Sequence, residues 1–104
     1  MIESGKRVVL RDDTWTQTAM KFASASLNFG SVGAGVSLDL TIALPGAVVG
    51  DLVIVSAPSA LAAGFSYNAF VSAANVVTVR LVNNTAAPID PAAQTWGVAV
   101  IAAG

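Results

Sequence analysis

Asp39, Asp51, Arg80 and Asp90 are the charged residues after residue 22, and they are the groups there that could carry chemistry. Paired carboxylates can exchange protons with a substrate or bind a divalent cation. The chain contains no His and no Cys, so the commonest general base and the thiolate ligands of zinc are missing. A carboxylate without such partners is a weak basis for catalysis. We therefore predict that the protein is not an enzyme and has no metal site and no cofactor.

Each aspartate also has an explanation that needs no catalysis. Asp39 falls on the polar side of an alternating segment, where a solvated carboxylate is ordinary. Asp51 follows a glycine in a predicted turn, and Asp90 precedes a proline in a predicted loop. Aspartate side chains in such positions commonly accept hydrogen bonds from nearby backbone. These explanations are preferred to a hydrolase that uses the three carboxylates.

Arg80 is the only cation after residue 22, in the middle of the alternating segment VVTVRLV. Its guanidinium could pair with a carboxylate of this chain or of a neighbouring subunit, bind an anionic ligand, or extend its stem over apolar surface. An ion pair is the preferred interpretation. Asp39 and Asp90 are both candidate partners, and the sequence leaves the choice between them open.

Trp15, Trp96 and Tyr67 could each stack on a sugar in a receptor-binding module. Trp96 begins a segment that alternates with Val98 and Val100, so burial in the core is the preferred interpretation. Trp15 lies in a charged segment with no strand pattern. An aromatic residue in that setting is a reasonable anchor for docking on a partner.

The triplet Asn83-Asn84-Thr85 matches the sequon for N-linked glycosylation. The chain opens MIESGKRVVLRDD, with charges where a secretory signal would need apolar residues. No export by that route is predicted, and the sequon is interpreted as a chance match.

The composition excludes several classes of protein. With 104 residues the chain is long enough for one domain and one core. Its formal net charge is -1 and 11% of its residues are charged, so it lacks the basic footprint of a nucleic-acid binder. Residues 52–79 carry no charge, but Pro58, Gly64 and scattered polar residues divide them into pieces too short to span a bilayer. No nucleic-acid or membrane partner is predicted.

Charge is distributed unevenly along the chain. Seven of the eleven charged residues lie within residues 1–22, and the rest of the chain is strongly apolar. We interpret this shift as a boundary between an N-terminal arm, residues 1–22, and a β-sandwich domain, residues 23–104.

Period-two alternation is the clearest structural signal. In VSLDLTIAL, residues 36–44, every second residue is apolar, as in a half-buried strand. Residues 25–29 alternate too, and we predict that they form a neighbouring strand. LVIVSA, residues 52–57, is apolar throughout and predicts a strand buried on both sides. Further strands are predicted at 65–72, 76–82 and 96–102. The predicted fold is all-β: a single antiparallel β-sandwich or jelly-roll-like domain with an extended N-terminal arm.

The strand at residues 76–82 is apolar on both faces. If Val77, Val79 and Leu81 face the core, the other face is more apolar than solvent exposure requires, and Phe70, Ala99 and Ile101 repeat this pattern on other strands. A small domain with two apolar sheet faces usually covers one of them with another chain. We therefore predict a homo-oligomer, with inter-subunit contacts at Phe70, Val76, Arg80 and Val82.

Three segments together resemble a known family. PGAVVGD (45–51), VSAANVVTVRLVNNT (71–85) and IDPAAQTW (89–96) are similar to a small β-sandwich domain found in structural proteins of tailed bacteriophages. The resemblance covers about residues 24–101. It implies a virion structural role, as a capsid decoration (cement) protein or as a head or tail fibre module, often trimeric.

Capsid decoration is the preferred function because the domain makes up most of the chain and is preceded by the arm. The expected partner is the major capsid protein, bound by a homotrimer at the capsid surface of the virion. The protein itself is expected to be made in the host bacterial cytoplasm. Arg7, Arg11 and Trp15 of the arm are the predicted capsid contacts. The alternative is a fibre domain that binds a host surface glycan through the loop at residues 83–95.

Overall fold

The computed structural model describes residues 20–102, which form six β-strands and no helix. The predicted all-β sandwich is confirmed: two antiparallel three-stranded sheets pack together. The first strand begins at Met20, so residues 20–22, which the composition assigned to the arm, are part of the sandwich. The strands are β1 (Met20–Leu27), β2 (Ser37–Ala43), β3 (Leu52–Ser56), β4 (Phe65–Ala73), β5 (Val76–Asn83) and β6 (Gln94–Ile101).

The two sheets have the strand orders β1-β6-β3 and β2-β5-β4. β1 and β2, predicted as neighbouring strands, follow each other along the chain but lie in different sheets. Residues 28–36 instead carry the chain from one sheet to the other, and Val32 in this connection forms an isolated antiparallel bridge with Ile89. The N–H and C=O groups of both bridge residues are paired with each other, so the backbone of the buried Val32 is satisfied.

Apolar residues of alternating positions fill the space between the sheets. Val77, Val79 and Leu81 of β5 are fully buried, as their spacing predicts. From the opposite sheet, Trp96 is 1% exposed and Val100 2% exposed. The two central strands, β5 and β6, supply six of the thirteen buried residues of this core, because each has a paired strand on both sides.

The expectation that LVIVSA is buried on both sides is wrong. β3 is an edge strand that pairs with β6, and its burial alternates strictly. Val53 and Val55 point inward, whereas Leu52 and Ile54 are 60% and 54% exposed. A run of apolar residues signals that both faces are apolar, but not whether a second layer covers each face.

The hairpin between β4 and β5 turns through Ala74 and Asn75. Asn75 has φ of 67°, a left-handed conformation that Asn tolerates better than most residues. Its Oδ1 accepts the N–H of Gly46 at 2.8 Å, and its backbone N–H donates to the carbonyl of Ala47 at 2.9 Å. These bonds fasten the hairpin to the loop that follows β2.

Candidate interaction surfaces

Arg80 forms an ion pair with Asp39 at the centre of the outer face of the β2-β5-β4 sheet. The two residues are directly opposite each other in the β2–β5 register. Arg80 Nε donates to Asp39 Oδ1 at 2.9 Å, and Arg80 Nη2 donates to Oδ2 at 3.0 Å. The guanidinium carbon also lies 5.1 Å from the ring centroid of Phe70. The preferred ion-pair interpretation is confirmed, and of the two candidate partners it is Asp39 that makes the pair within this chain.

The fork-shaped contact changes the proton affinity of both groups. Hydrogen bonding to Arg80 lowers the pKa of Asp39, outweighing the smaller opposing effect of desolvation. The same contact raises the pKa of Arg80. Both side chains are 42% exposed, so solvent screens the pair and its contribution to stability is small.

This ion pair predicts a specific dependence of stability on pH. Because the folded-state pKa of Asp39 lies below its unfolded value, the pair stabilises the fold above the unfolded pKa and loses this effect as pH falls through the folded pKa. We expect Asp39→Asn to lower the urea midpoint of unfolding at pH 7. At a pH below the folded-state pKa of Asp39, the midpoint of the variant should be close to that of wild type. The measurement is urea unfolding followed by circular dichroism at both pH values. An equal midpoint difference at the two values would contradict the assignment.

The other two aspartates have the roles of turn and loop residues. Asp51 Oδ2 accepts the backbone N–H of Val48 at 3.0 Å within the loop between β2 and β3, as predicted for an aspartate in a turn. Asp90 is exposed in the loop between β5 and β6. Among residues 20–102 no group of three or more carboxylate, His or Cys side chains is placed to hold a metal ion.

Trp96 is a core residue, as predicted. It is enclosed by two edge-on aromatic contacts, with Phe29 at 5.8 Å and 68° and with Tyr67 at 5.4 Å and 82° between ring planes. Tyr67 itself is 41% exposed, but one side of its ring is occupied by Trp96. The pair therefore fixes the packing of one sheet on the other and does not present Trp96 to a ligand.

Asn83 is fully buried at the end of β5, and its side chain makes four hydrogen bonds. Nδ2 donates to the carbonyls of Val32 and Ala87, both at 2.9 Å. Oδ1 accepts from the N–H of Thr85 at 2.9 Å and from its hydroxyl at 2.7 Å. The sequon is thus a structural motif: the amide nitrogen that a glycan would occupy is enclosed and already bonded. The sequon match does not predict this role, although position 83 continues the inward period of 77, 79 and 81.

The predicted inter-subunit residues lie together on the outer face of the β2-β5-β4 sheet, and all are half-buried. Neighbouring positions on this face are polar: Ser37, Asp39 and Thr41 on β2, and Ser66 and Asn68 on β4. Their role between subunits stays a prediction. The predicted capsid contacts Arg7, Arg11 and Trp15 lie outside the described residues.

A strongly apolar surface lies instead on the outer face of the other sheet. Two rows of side chains cross all three strands there, and we call them the apolar rows. The large side chains in them are exposed by 73% for Phe22, 60% for Leu52, 54% for Ile54 and 42% for Met20. The apolar rows are Met20, Ile101 and Leu52, then Phe22, Ala99 and Ile54.

Sequence reasoning named Ala99 and Ile101 as outward apolar residues but missed the four that flank them. Met20 and Phe22 were assigned to the arm, although they continue the alternation of Ser24 and Ser26. Leu52 and Ile54 belong to a run of apolar residues, so the sequence pattern does not distinguish their outward positions from the inward ones. The continued period in MKFASASL was the signal that could have placed β1 correctly.

A comparison with protein families, with curated proteins and with solved structures found no match to this chain. The likeness of residues 24–101 to phage structural domains therefore stays a prediction. Within residues 20–102 no helix is long and apolar enough to cross a membrane.

Proposed function

We propose that this chain is a non-enzymatic structural protein whose β-sandwich functions in assembly, specifically a capsid decoration protein of a tailed phage. The observation that carries the proposal is the outer face of the β1-β6-β3 sheet, where four large, exposed apolar side chains flank Ala99 and Ile101. A face of this kind is typical of a surface that another macromolecule covers.

The polar groups of the described residues favour a structural role over catalysis. Arg80 and Asp39 are paired with each other, and Asp51 bonds to its own loop. Asn83, the most deeply buried polar side chain, is satisfied by backbone and by Thr85. These groups hold strands and loops in place, which is what a rigid building block needs.

Attachment to the shell is assigned to the N-terminal segment. Arg7 and Arg11 are suited to carboxylates on a protein surface, and Trp15 is suited to an apolar pocket. A homotrimer would present three such segments, so modest affinity at each gives firm attachment overall. The segment leads directly into Met20 of β1, which pairs with Ile101; a truncation that tests it must therefore stop at residue 19.

The loop through which a fibre domain would bind a host glycan, residues 83–95, has few features suited to that function. Residues 84–93 contain no aromatic side chain that could stack on a sugar ring. Asn83 and Thr85 instead tie the start of this loop to the body of the sandwich.

Immunogold electron microscopy of virions that carry this protein tests the proposal. Antibody raised against the purified chain is expected to label heads over their whole surface, and absorption of the antibody with purified chain should remove the label. In the same assay, stripped shells reloaded with Arg7→Ala, Arg11→Ala, Trp15→Ala triple variant are expected to carry little label. The matched control is Asp12→Asn, Asp13→Asn, which should reload like wild type. Label confined to tails or fibres would overturn the decoration role.

A further inference from the structure

The apolar rows form an uncharged surface. In the β1–β6–β3 register, Met20, Ile101 and Leu52 lie side by side, and so do Phe22, Ala99 and Ile54. The next row consists of Ser24, Gly97 and Ser56, whose small side chains leave the sheet open to close approach. The described strands place no charged side chain on this face. Lys21, between the two β1 positions, points the other way and lies over Gly46.

The exposed area is large enough for a specific contact between two copies. From their exposed fractions, the four large side chains of the apolar rows present on the order of 500 Å², near the upper end for single patches on monomers. Two such faces in contact would bury on the order of 1,000 Å² in total, the lower bound for a specific interface. A smaller partner segment would leave part of the three-strand width uncovered.

Because this face is apolar and uncharged, it favours a partner whose contact surface is also apolar and uncharged. A charged or strongly polar partner would leave its own groups unpaired against Phe22, Ile54 and Leu52, at a cost in free energy. A second copy brings matching apolar rows and no charge, and two-fold symmetry makes such a patch complementary to itself. The opposite sheet lacks this property because its outer face centres on the Arg80–Asp39 pair.

We propose that a second copy of this chain covers the outer face of the β1-β6-β3 sheet, with the apolar rows as the centre of the subunit interface. This deepens the homo-oligomer of the proposed function and rests on its assembly role. The interface expected from the sequence lay on the sheet that carries Phe70, Val76, Arg80 and Val82, whereas the proposed interface lies on the opposite sheet. Shell binding and self-association are separate measurements, so either can fail alone.

Sedimentation equilibrium of the full-length chain tests the interface. Wild type is expected to form at least a dimer at micromolar concentration, and Phe22→Glu with Ile54→Glu is expected to weaken association at least about a hundredfold. Both positions are more than half exposed, so the fold should persist, as circular dichroism can check. The matched control Ser26→Glu adds charge to the same strand outside the apolar rows and should associate like wild type. A wild-type monomer at 0.1 mM would overturn the proposal. That result is expected if residues 1–19, or a capsid protein in the virion, cover the face instead of a second copy.

Single cysteines provide a second readout that does not depend on a charge change. The chain has no native Cys, so Ile54→Cys introduces a unique thiol into the apolar rows. Thr41→Cys places one on the outer face of the other sheet, where Thr41 is exposed. A short bismaleimide should cross-link copies through residue 54 and not through residue 41. The reverse pattern would assign the interface to the β2-β5-β4 sheet and overturn the proposal.

Discussion

Replacing Trp96 by alanine is expected to lower the free energy of unfolding by about 3–5 kcal/mol, as for other large-to-small changes in a protein core. Trp96 is 1% exposed and contacts Phe29 and Tyr67 edge-on, so its removal leaves a cavity between the sheets and also loses two aromatic pairs. A domain of this size has a total stability of roughly 5–10 kcal/mol. The variant should therefore be marginally folded.

Urea unfolding followed by far-UV circular dichroism measures this effect, because tryptophan fluorescence would change with the residue itself. Trp96→Phe is the matched control: it keeps an aromatic ring in the site and should cost about half as much or less. An unfolding midpoint for Trp96→Ala close to that of wild type would show that Trp96 does not join the two sheets.

Replacing Asn83 by alanine is expected to cost about 3 kcal/mol or more, because it removes four side-chain hydrogen bonds at once and leaves the N–H of Thr85 without an acceptor. The carbonyls of Val32 and Ala87 each lose one donor and keep another, the N–H of Ile89 and the hydroxyl of Thr85, whereas the N–H of Thr85 loses its acceptor. The connection at residue 32 and the loop after β5 should loosen together.

Asn84→Ala is the matched control because it changes the same residue type one position along the chain. Asn84 is exposed, and its side chain makes one bond, to the Ser66 hydroxyl at 2.9 Å. It should cost about 0.5–1.5 kcal/mol. The comparison is made by thermal and urea unfolding of both variants. Equal losses for Asn83→Ala and Asn84→Ala would contradict a structural role for the buried amide network.

The strands with strict alternation could be predicted from the sequence. Residues 36–44 and 76–82 form β2 and β5 with the expected inward faces, and the inward position of Trp96 follows from its spacing to Val98 and Val100. These predictions succeed because the period of a strand is a local property. Side chains two positions apart in a strand point to the same face, so the inward positions can be read from the local sequence.

Sheet membership could not be predicted in the same way. Residues 28–36 are compatible with a connection inside one sheet or between two, and the structure has the second. The same limit applies to β3: Leu52 and Ile54 are exposed because this strand lies at an edge and its outer face meets no other layer of the chain.

Among the candidate site residues, the sequence identified Arg80 as an ion-pair residue, but its partner depended on register. Asp39 is directly opposite Arg80 in the β2–β5 pairing, whereas Asp90 lies in a loop. A shift of one residue would have sent Asp39 to the inner face. The apolar rows likewise required three strands, distant in the chain, to be aligned side by side.

By itself the sequence determined the all-β class, the inward faces of its alternating strands and the absence of a His or Cys centre, because these are properties of local pattern and composition. The tertiary structure alone decided that Met20, Phe22, Leu52 and Ile54 form one exposed surface, and that Asn83 joins two loops. Such groupings arise from pairing between segments far apart in the chain. The free energy of that pairing depends on register and layer contacts that no single segment encodes.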